Sequence, residues 1–165
     1  MPVREIRLFG DPVLRSVTDP IVEFNVATHS LVRDLVDTVS LPGRAGVAAN
    51  QIGVGLRAFS FHIDGRIGCI LNPILADVGG DPVLMDEGCL SVPGFSYPRL
   101  RYPWARVTGF DHNGAPLVME GEGLLAQAIQ HEIGHLDGSL YIEGLAPETK
   151  RRAMRDIRSA DWFRA

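Results

Sequence analysis

The segment His131-Glu132-Ile133-Gly134-His135 sets two imidazoles four residues apart, with a carboxylate beside the first. On an α-helix, positions i and i+4 lie on one face about one turn apart, so both rings can reach a single metal ion. Glu132 then stands next to the open coordination position, where a carboxylate can take a proton from water activated at the metal. The bland alternative is an exposed helix that happens to carry two histidines and a glutamate, and the mechanical sense of the spacing weighs against it. A catalytic site of this kind takes three protein ligands and leaves one position for water. Downstream of the pair the candidates for the third ligand are Asp137, Glu143 and Glu148, and spacing alone leaves Glu143 open. Upstream, Glu87-Gly88-Cys89-Leu90-Ser91 offers Cys89, whose thiolate is a strong ligand for a borderline-soft divalent ion. Cys89 is favoured as a ligand over its reading as a buried structural thiol.

The chain that must position these residues has 165 of them, about the size of one ordinary domain, and a single domain over 1–165 is expected. Hydrophobic residues make up 45% and charged residues 22%, a globular composition. A formal charge of −4 argues against general electrostatic binding to nucleic acid or anionic membrane. Cations gather near the C-terminus at Lys150, Arg151, Arg152, Arg155, Arg158 and Arg164, where a solvated helix face is favoured over a phosphate site. No early stretch has a signal-peptide layout and no apolar run approaches the ~20 residues of a membrane span, so a cytoplasmic location is expected. Two cysteines give no disulfide framework. Cys69, in an apolar run, reads as a small buried hydrophobe in a strand.

Asp11-Pro12 suits the start of a short helical turn. Apolar spacing predicts a helix from Ser30 to Ser40, with Ser30 as its N-cap and Leu41-Pro42-Gly43 ending it. Leu56–His62 and Ile67–Leu71 read as one hairpin; Ala105–Asp111 and Pro116–Glu120 read as a second. The Pro- and Gly-rich segment from Val92 to Pro103 reads as loop with short extended pieces. The histidine helix is predicted to begin near Gly123 and stop at Gly138. A final amphipathic helix follows Pro147, with Ala153, Met154 and Ile157 opposite its basic face. The fold class is therefore α+β: small antiparallel or mixed sheets packed around a central motif helix, with an amphipathic C-terminal helix.

Four segments, in order, resemble the peptide deformylase family. Gly10-Asp11-Pro12-Val13-Leu14-Arg15 is similar to an early signature, and Gly46-Val47-Ala48-Ala49-Asn50-Gln51 to the glycine-alanine-glutamine motif. Glu87-Gly88-Cys89-Leu90-Ser91 resembles the cysteine motif, and Gln130 to Gly138 the metal-binding helix. The resemblance implies a metal held by Cys89, His131 and His135, with Fe(II) the usual native ion and Zn, Ni or Co possible in a purified sample. It implies hydrolysis of the formyl amide on the N-terminal methionine of newly made polypeptides, with metal-bound hydroxide attacking the formyl carbon. Glu132 would be general base and acid, while the Gln51 side chain and the Leu90 backbone N–H stabilise the oxyanion. Substrate contacts are implied at Ala45, Gly46, Gly88, Leu124, Gln127 and Ala128.

Three positions depart from the family pattern. Gly134 stands where an acidic residue is usual, Arg44 and Ala45 precede Gly46 where the motif usually begins Gly-x-Gly, and Gln127 replaces an apolar residue one turn before His131. Gly134 is expected to weaken metal binding or loosen the helix, Arg44 to point to solvent, and Gln127 to alter side-chain preference or turn to the pocket mouth. An active enzyme is expected, because ligands, base and oxyanion glutamine are all retained. Competing readings are a zinc endopeptidase with a downstream ligand such as Glu143, a binding module without catalysis, and a deformylase for another formylated amine. The basic C-terminal helix also suggests transient contact with ribosomal RNA; no stable nucleic-acid or membrane partner is expected.

Overall fold

The computed structural model describes residues 3–164; Met1, Pro2 and Ala165, which fall within the expected domain span, lie outside the described residues. Asp11 caps a 3₁₀ turn at Pro12–Arg15, accepting from the Val13 N–H at 3.0 Å. Helix α1 (Val26–Val39) starts earlier than its apolar spacing predicts, because Asn25 and not Ser30 is the N-cap. The Asn25 side chain accepts from the N–H groups of Ala27 and Thr28, and Ser30 lies inside the helix. Leu31, Leu35 and Val39 form its buried stripe.

Strands β1 (Gly46–Ala48), β2 (Ala58–Ile63), β3 (Arg66–Gly79), β6 (Trp104–Phe110) and β7 (Pro116–Glu122) form one antiparallel sheet in the order β1-β2-β3-β6-β7. Ile63 pairs with Arg66 across the two-residue turn Asp64-Gly65, whose φ angles of 52° and 73° are those of the left-handed hairpin turn. Strands β4 (Val83–Cys89) and β5 (Val92–Arg101) form a separate two-stranded sheet. β5 overturns the expectation of a loop over Val92 to Pro103. Pro93 and Pro98 are compatible with it because a two-stranded sheet has only edge strands, where a missing N–H leaves no ladder bond unmade.

Helix α2 (Gly123–Leu136) carries the histidine pair. Its residues Ala126, Ile129, Ile133 and Leu136 are buried against Phe59, Ile70, Ala105 and Val107 of the large sheet. Gln130 is buried too, and both ends of its amide are satisfied: Nε2 donates to Tyr102 O and Ala126 O, and Oε1 accepts from Tyr102 N–H. At the C-terminal end, Thr18 donates through N–H and hydroxyl to Leu136 O. The helix that bears the ligands is thus fastened by apolar packing on one side and by satisfied polar groups at its middle and its C-terminal end.

Helix α3 (Pro147–Ser159) buries Ala153 and Ile157 in a second cluster with Leu14, Val92, Tyr97 and Ile142, leaving its cations outward; α4 (Asp161–Arg164) follows. Met154 is partly buried against that cluster. Cys69 lies in a strand, β3, as expected, but is half-buried against the α1 cluster instead of fully buried. Among the described residues, no helix is long and apolar enough to cross a membrane.

Candidate metal centre

Three elements meet around a cleft of about 520 Å³: the loop leading into β1, the β4–β5 turn, and the face of α2 turned away from the large sheet. Cys89 ends β4, and its Sγ lies 3.2 Å from Nε2 of His135. Nε2 of His135 lies in turn 3.1 Å from Nε2 of His131. The three ligand atoms fall within 4.8 Å of one another, and Cys89, His131 and His135 form the one such His/Cys/Asp/Glu group among the described residues. The downstream candidates are engaged elsewhere. Asp137 is half-exposed and pairs with Arg57 at 2.7 Å, and Glu143 accepts from the Ser139 hydroxyl. Glu148 is exposed in the first turn of α3. An endopeptidase site built on Glu143 is therefore excluded by position.

The donor set suits a divalent ion. One thiolate and two imidazoles are the ligands of a borderline-soft metal, and their lone pairs converge on a single point. The electrostatics agree. Burial alone would depress the His131 imidazole, yet Cys89, Glu87 and Glu132 together hold it up at about 10. That excess of negative charge is what a cation would balance. Burial, assisted by the charge on His131, keeps His135 well below the usual imidazole range, so its ring is neutral and offers a lone pair.

Residues behind the ligands fix their orientation. Glu87 is 3% exposed, and its Oε2 accepts from Nδ1–H of His131 at 3.0 Å, which turns Nε2 toward the metal position. Arg101 grips the same carboxylate with two bonds, of 2.8 and 2.5 Å. Burial would raise the Glu87 carboxyl, but Arg101 and His131 bring it down to about 2. Sequence reasoning missed this pair as functional. Its one available signal was two opposite charges flanking the cysteine turn, at positions that pair only if 92–101 is a strand.

Glu132 is also buried, at 3% exposure, and its Oε2 has no hydrogen-bond partner. Burial pushes this carboxyl up to about 7. A built Cβ on Gly46 would come within 2.8 Å of the Glu132 Cδ and 2.9 Å of its Cγ, so the glycine leaves the space that the carboxylate fills. Gln51, 1% exposed, is oriented at both ends. Its Oε1 accepts from Ala48 N–H at 2.9 Å, and its Nε2 donates to Ser91 Oγ at 3.1 Å and faces Cys89 Sγ at 3.6 Å. Ser91, fully buried, is a further supporting residue that sequence reasoning did not single out. Leu90, Gly88, Ala45, Gly46, Leu124 and Ala128 all line the cleft, as does Gln127. The Ala45 carbonyl is already engaged by His62 N–H.

The departures look different in place. Arg44 is not simply turned to solvent: it lines the cleft, and its Nη1 donates to Thr38 O near the end of α1. Gly134 has open space, since a Cβ there would meet nothing nearer than Ser139 O at 4.0 Å. Gln127 reaches across the cleft to donate to Asp86 O at 2.8 Å.

A buried helix with paired imidazoles, a facing thiolate and a partnerless buried carboxylate define a metal-dependent hydrolase. The polypeptide deformylase family model matches residues 3–151. A peptide deformylase of Acidothermus cellulolyticus is 48% identical over 162 residues, covering 98% of this chain and 89% of that protein. Peptide deformylase 1 of Corynebacterium efficiens is 42% identical, covering 99% of each chain. The crystal structure of a peptide deformylase from Legionella pneumophila superposes with a TM-score of 0.87 at 36% identity, over 93% of this chain and 92% of that one. The chain belongs to the peptide deformylase family.

Proposed function

We propose that this enzyme removes the formyl group from N-formylmethionine at the start of newly made polypeptides. The observation that carries the reading is the partnerless Glu132 Oε2, buried beside the converging Cys89, His131 and His135. When bound there, a divalent ion acts as a Lewis acid and makes water acidic enough to give up a proton near neutral pH. Glu132 Oε2 takes that proton and returns it to the nitrogen of the departing methionine as the formyl C–N bond breaks. The Gln51 Nε2–H and the Leu90 backbone N–H donate to the oxygen that becomes negative at the formyl carbon. Ala48 and Ser91 hold the Gln51 amide, and its second N–H, which faces Cys89 Sγ, is the one that turns to this oxygen. Glu87 keeps His131 in the tautomer that presents Nε2.

Fe(II) is the favoured ion, since one thiolate and two imidazoles suit it and leave it sensitive to oxygen. Ala45, Gly46, Gly88, Leu124, Gln127 and Ala128 bind the peptide, and the enzyme works in the cytoplasm close to emerging chains. The outward cations of α3 suit a passing contact with ribosomal RNA. Protein loaded anaerobically with Fe(II) should release formate from formyl-Met-Ala-Ser, and Glu132→Ala should abolish the release while retaining the ion. A loaded, folded protein without turnover would sink the reading.

A further inference from the structure

Leu124, Gln127, Ala128 and His131 follow one another along the cleft face of α2 at i, i+3, i+4 and i+7. Leu124 and Ala128 are apolar, so Gln127 is the one uncharged polar side chain in that stripe. Its Nε2 donates to the backbone oxygen of Asp86 on β4, which orients the amide across the cleft. A carboxamide nitrogen carries two N–H bonds, and this nitrogen makes no other hydrogen bond among the described residues. One donor is therefore left for whatever occupies the cleft.

The level of that donor along the helix is informative. Gln127 lies four residues before His131, about 6 Å along the axis. In an N-formyl amino acid, the path from the formyl carbon through N, Cα, Cβ and Cγ to the δ atom spans about 6 Å when extended. A formyl carbon at the ligands, with the first side chain laid along the cleft stripe toward Leu124, brings its δ atom to the level of Gln127. An apolar wall rejects an acceptor there, because the acceptor loses its water and finds no partner.

We propose that Gln127 is a specificity residue that lets this enzyme accept formyl-methionine sulfoxide at the start of a chain, its free Nε2–H donating to the sulfoxide oxygen. The thioether of unoxidised methionine packs on Leu124 and Ala128 and does not need the donor. The sulfoxide sulfur is a stereocentre, so one epimer aims its oxygen at Gln127 and the other aims it away. The proposal rests on the deformylase reading above.

The test compares formate release, under anaerobic metal loading, from formyl-Met-Ala-Ser, formyl-norleucine-Ala-Ser and the two separated epimers of formyl-Met(O)-Ala-Ser. Wild type, Gln127→Leu and Gln127→Met are each read as ratios of kcat/KM within one sample, so differences in metal content or folded fraction cancel. Wild type should prefer one sulfoxide epimer, and both variants should lower that epimer's rate relative to norleucine by about tenfold, the scale of one neutral hydrogen bond. The change should fall mainly in KM. Equal rates for the two epimers in wild type, or an unmoved ratio in either variant, would overturn the role given to Gln127. Wild type that is inert on formyl-Met-Ala-Ser would instead overturn the deformylase reading itself.

Discussion

Gly46→Ala adds one methyl group, and the structure says where it goes. A Cβ at Gly46 would stand 2.8 Å from the Glu132 Cδ and 2.9 Å from its Cγ. Ordinary carbon contacts begin near 3.5 Å, so one partner must retreat by roughly 0.6 Å or more. The strand is the stiffer of the two. Gly46 pairs with Phe61, and the next two residues, Val47 and Ala48, are fully buried and paired with Ser60 and Phe59. The Glu132 side chain therefore yields, carrying its Oε2 away from the water it must deprotonate. A displacement near 1 Å at a reacting group costs about 10²-fold in rate, which is about 2.7 kcal/mol of barrier. The overpacked methyl also lowers stability by about 1–3 kcal/mol. Cys89, His131 and His135 are not in the way, so metal stoichiometry should stay at the wild-type value. The assay is formate release from formyl-Met-Ala-Ser together with metal content and a urea melt on the same sample. A Gly46→Ala protein that is folded and fully loaded, with kcat within threefold of wild type, would refute the reasoning. So would a variant that loses its metal in proportion to its activity.

Other outcomes follow from the same geometry. Cys89→Ala should abolish tight metal binding, read by elemental analysis after dialysis. Glu87→Gln should weaken metal affinity by about 10- to 100-fold in a chelator competition, because the amide pulls less strongly on the His131 Nδ1–H. Glu87 titrates at about 2 in the fold against an ordinary 4.5. Since its folded value is the lower, its contribution to stability is present above 4.5 and fades as pH falls toward 2. Urea melts of the metal-free protein should therefore lose stability more steeply across that window in wild type than in Glu87→Gln. For activity the sign is similar. Glu132 works as the carboxylate, burial holds it up to about 7, and a bound cation draws it lower; kcat/KM should fall on an acid limb at or below about 7. Gly134→Ala should raise stability by about 0.5–1 kcal/mol in a urea melt, since the helix interior prefers alanine and the space is open.

Much of the site could be read from residue order because its parts are local. His131, Glu132 and His135 share one helix whose spacing alone brings the rings together, and Cys89 needs only to arrive from outside. What the sequence hid is what depends on pairing across distance. Arg101 meets Glu87 through the register of β4 and β5, and β5 contains prolines and a glycine that read as loop. Only the edge position of that strand makes them tolerable. Asn25 was hidden for a different reason. A cap is chosen by the direction in which the chain enters a helix, and apolar periodicity first became visible a turn later. A Cβ at Gly134 would stand in open space, while Gly46 carries the steric demand at Glu132.

Cys89 and the histidine pair come from separately built pieces, a two-stranded sheet and a helix seated on another sheet, with Cys89 and His135 46 positions apart. An ion shared among them is a reversible cross-link that closes a long loop of the chain. While present it reinforces the bonds that already tie the β4–β5 hairpin to α2, from Gln127 to Asp86 O and from His131 to Glu87. Metal supply therefore governs more than turnover: a cell short of the metal would hold a protein whose hairpin opens more readily to proteases. Scarcity would thus reduce the amount of enzyme as well as its activity.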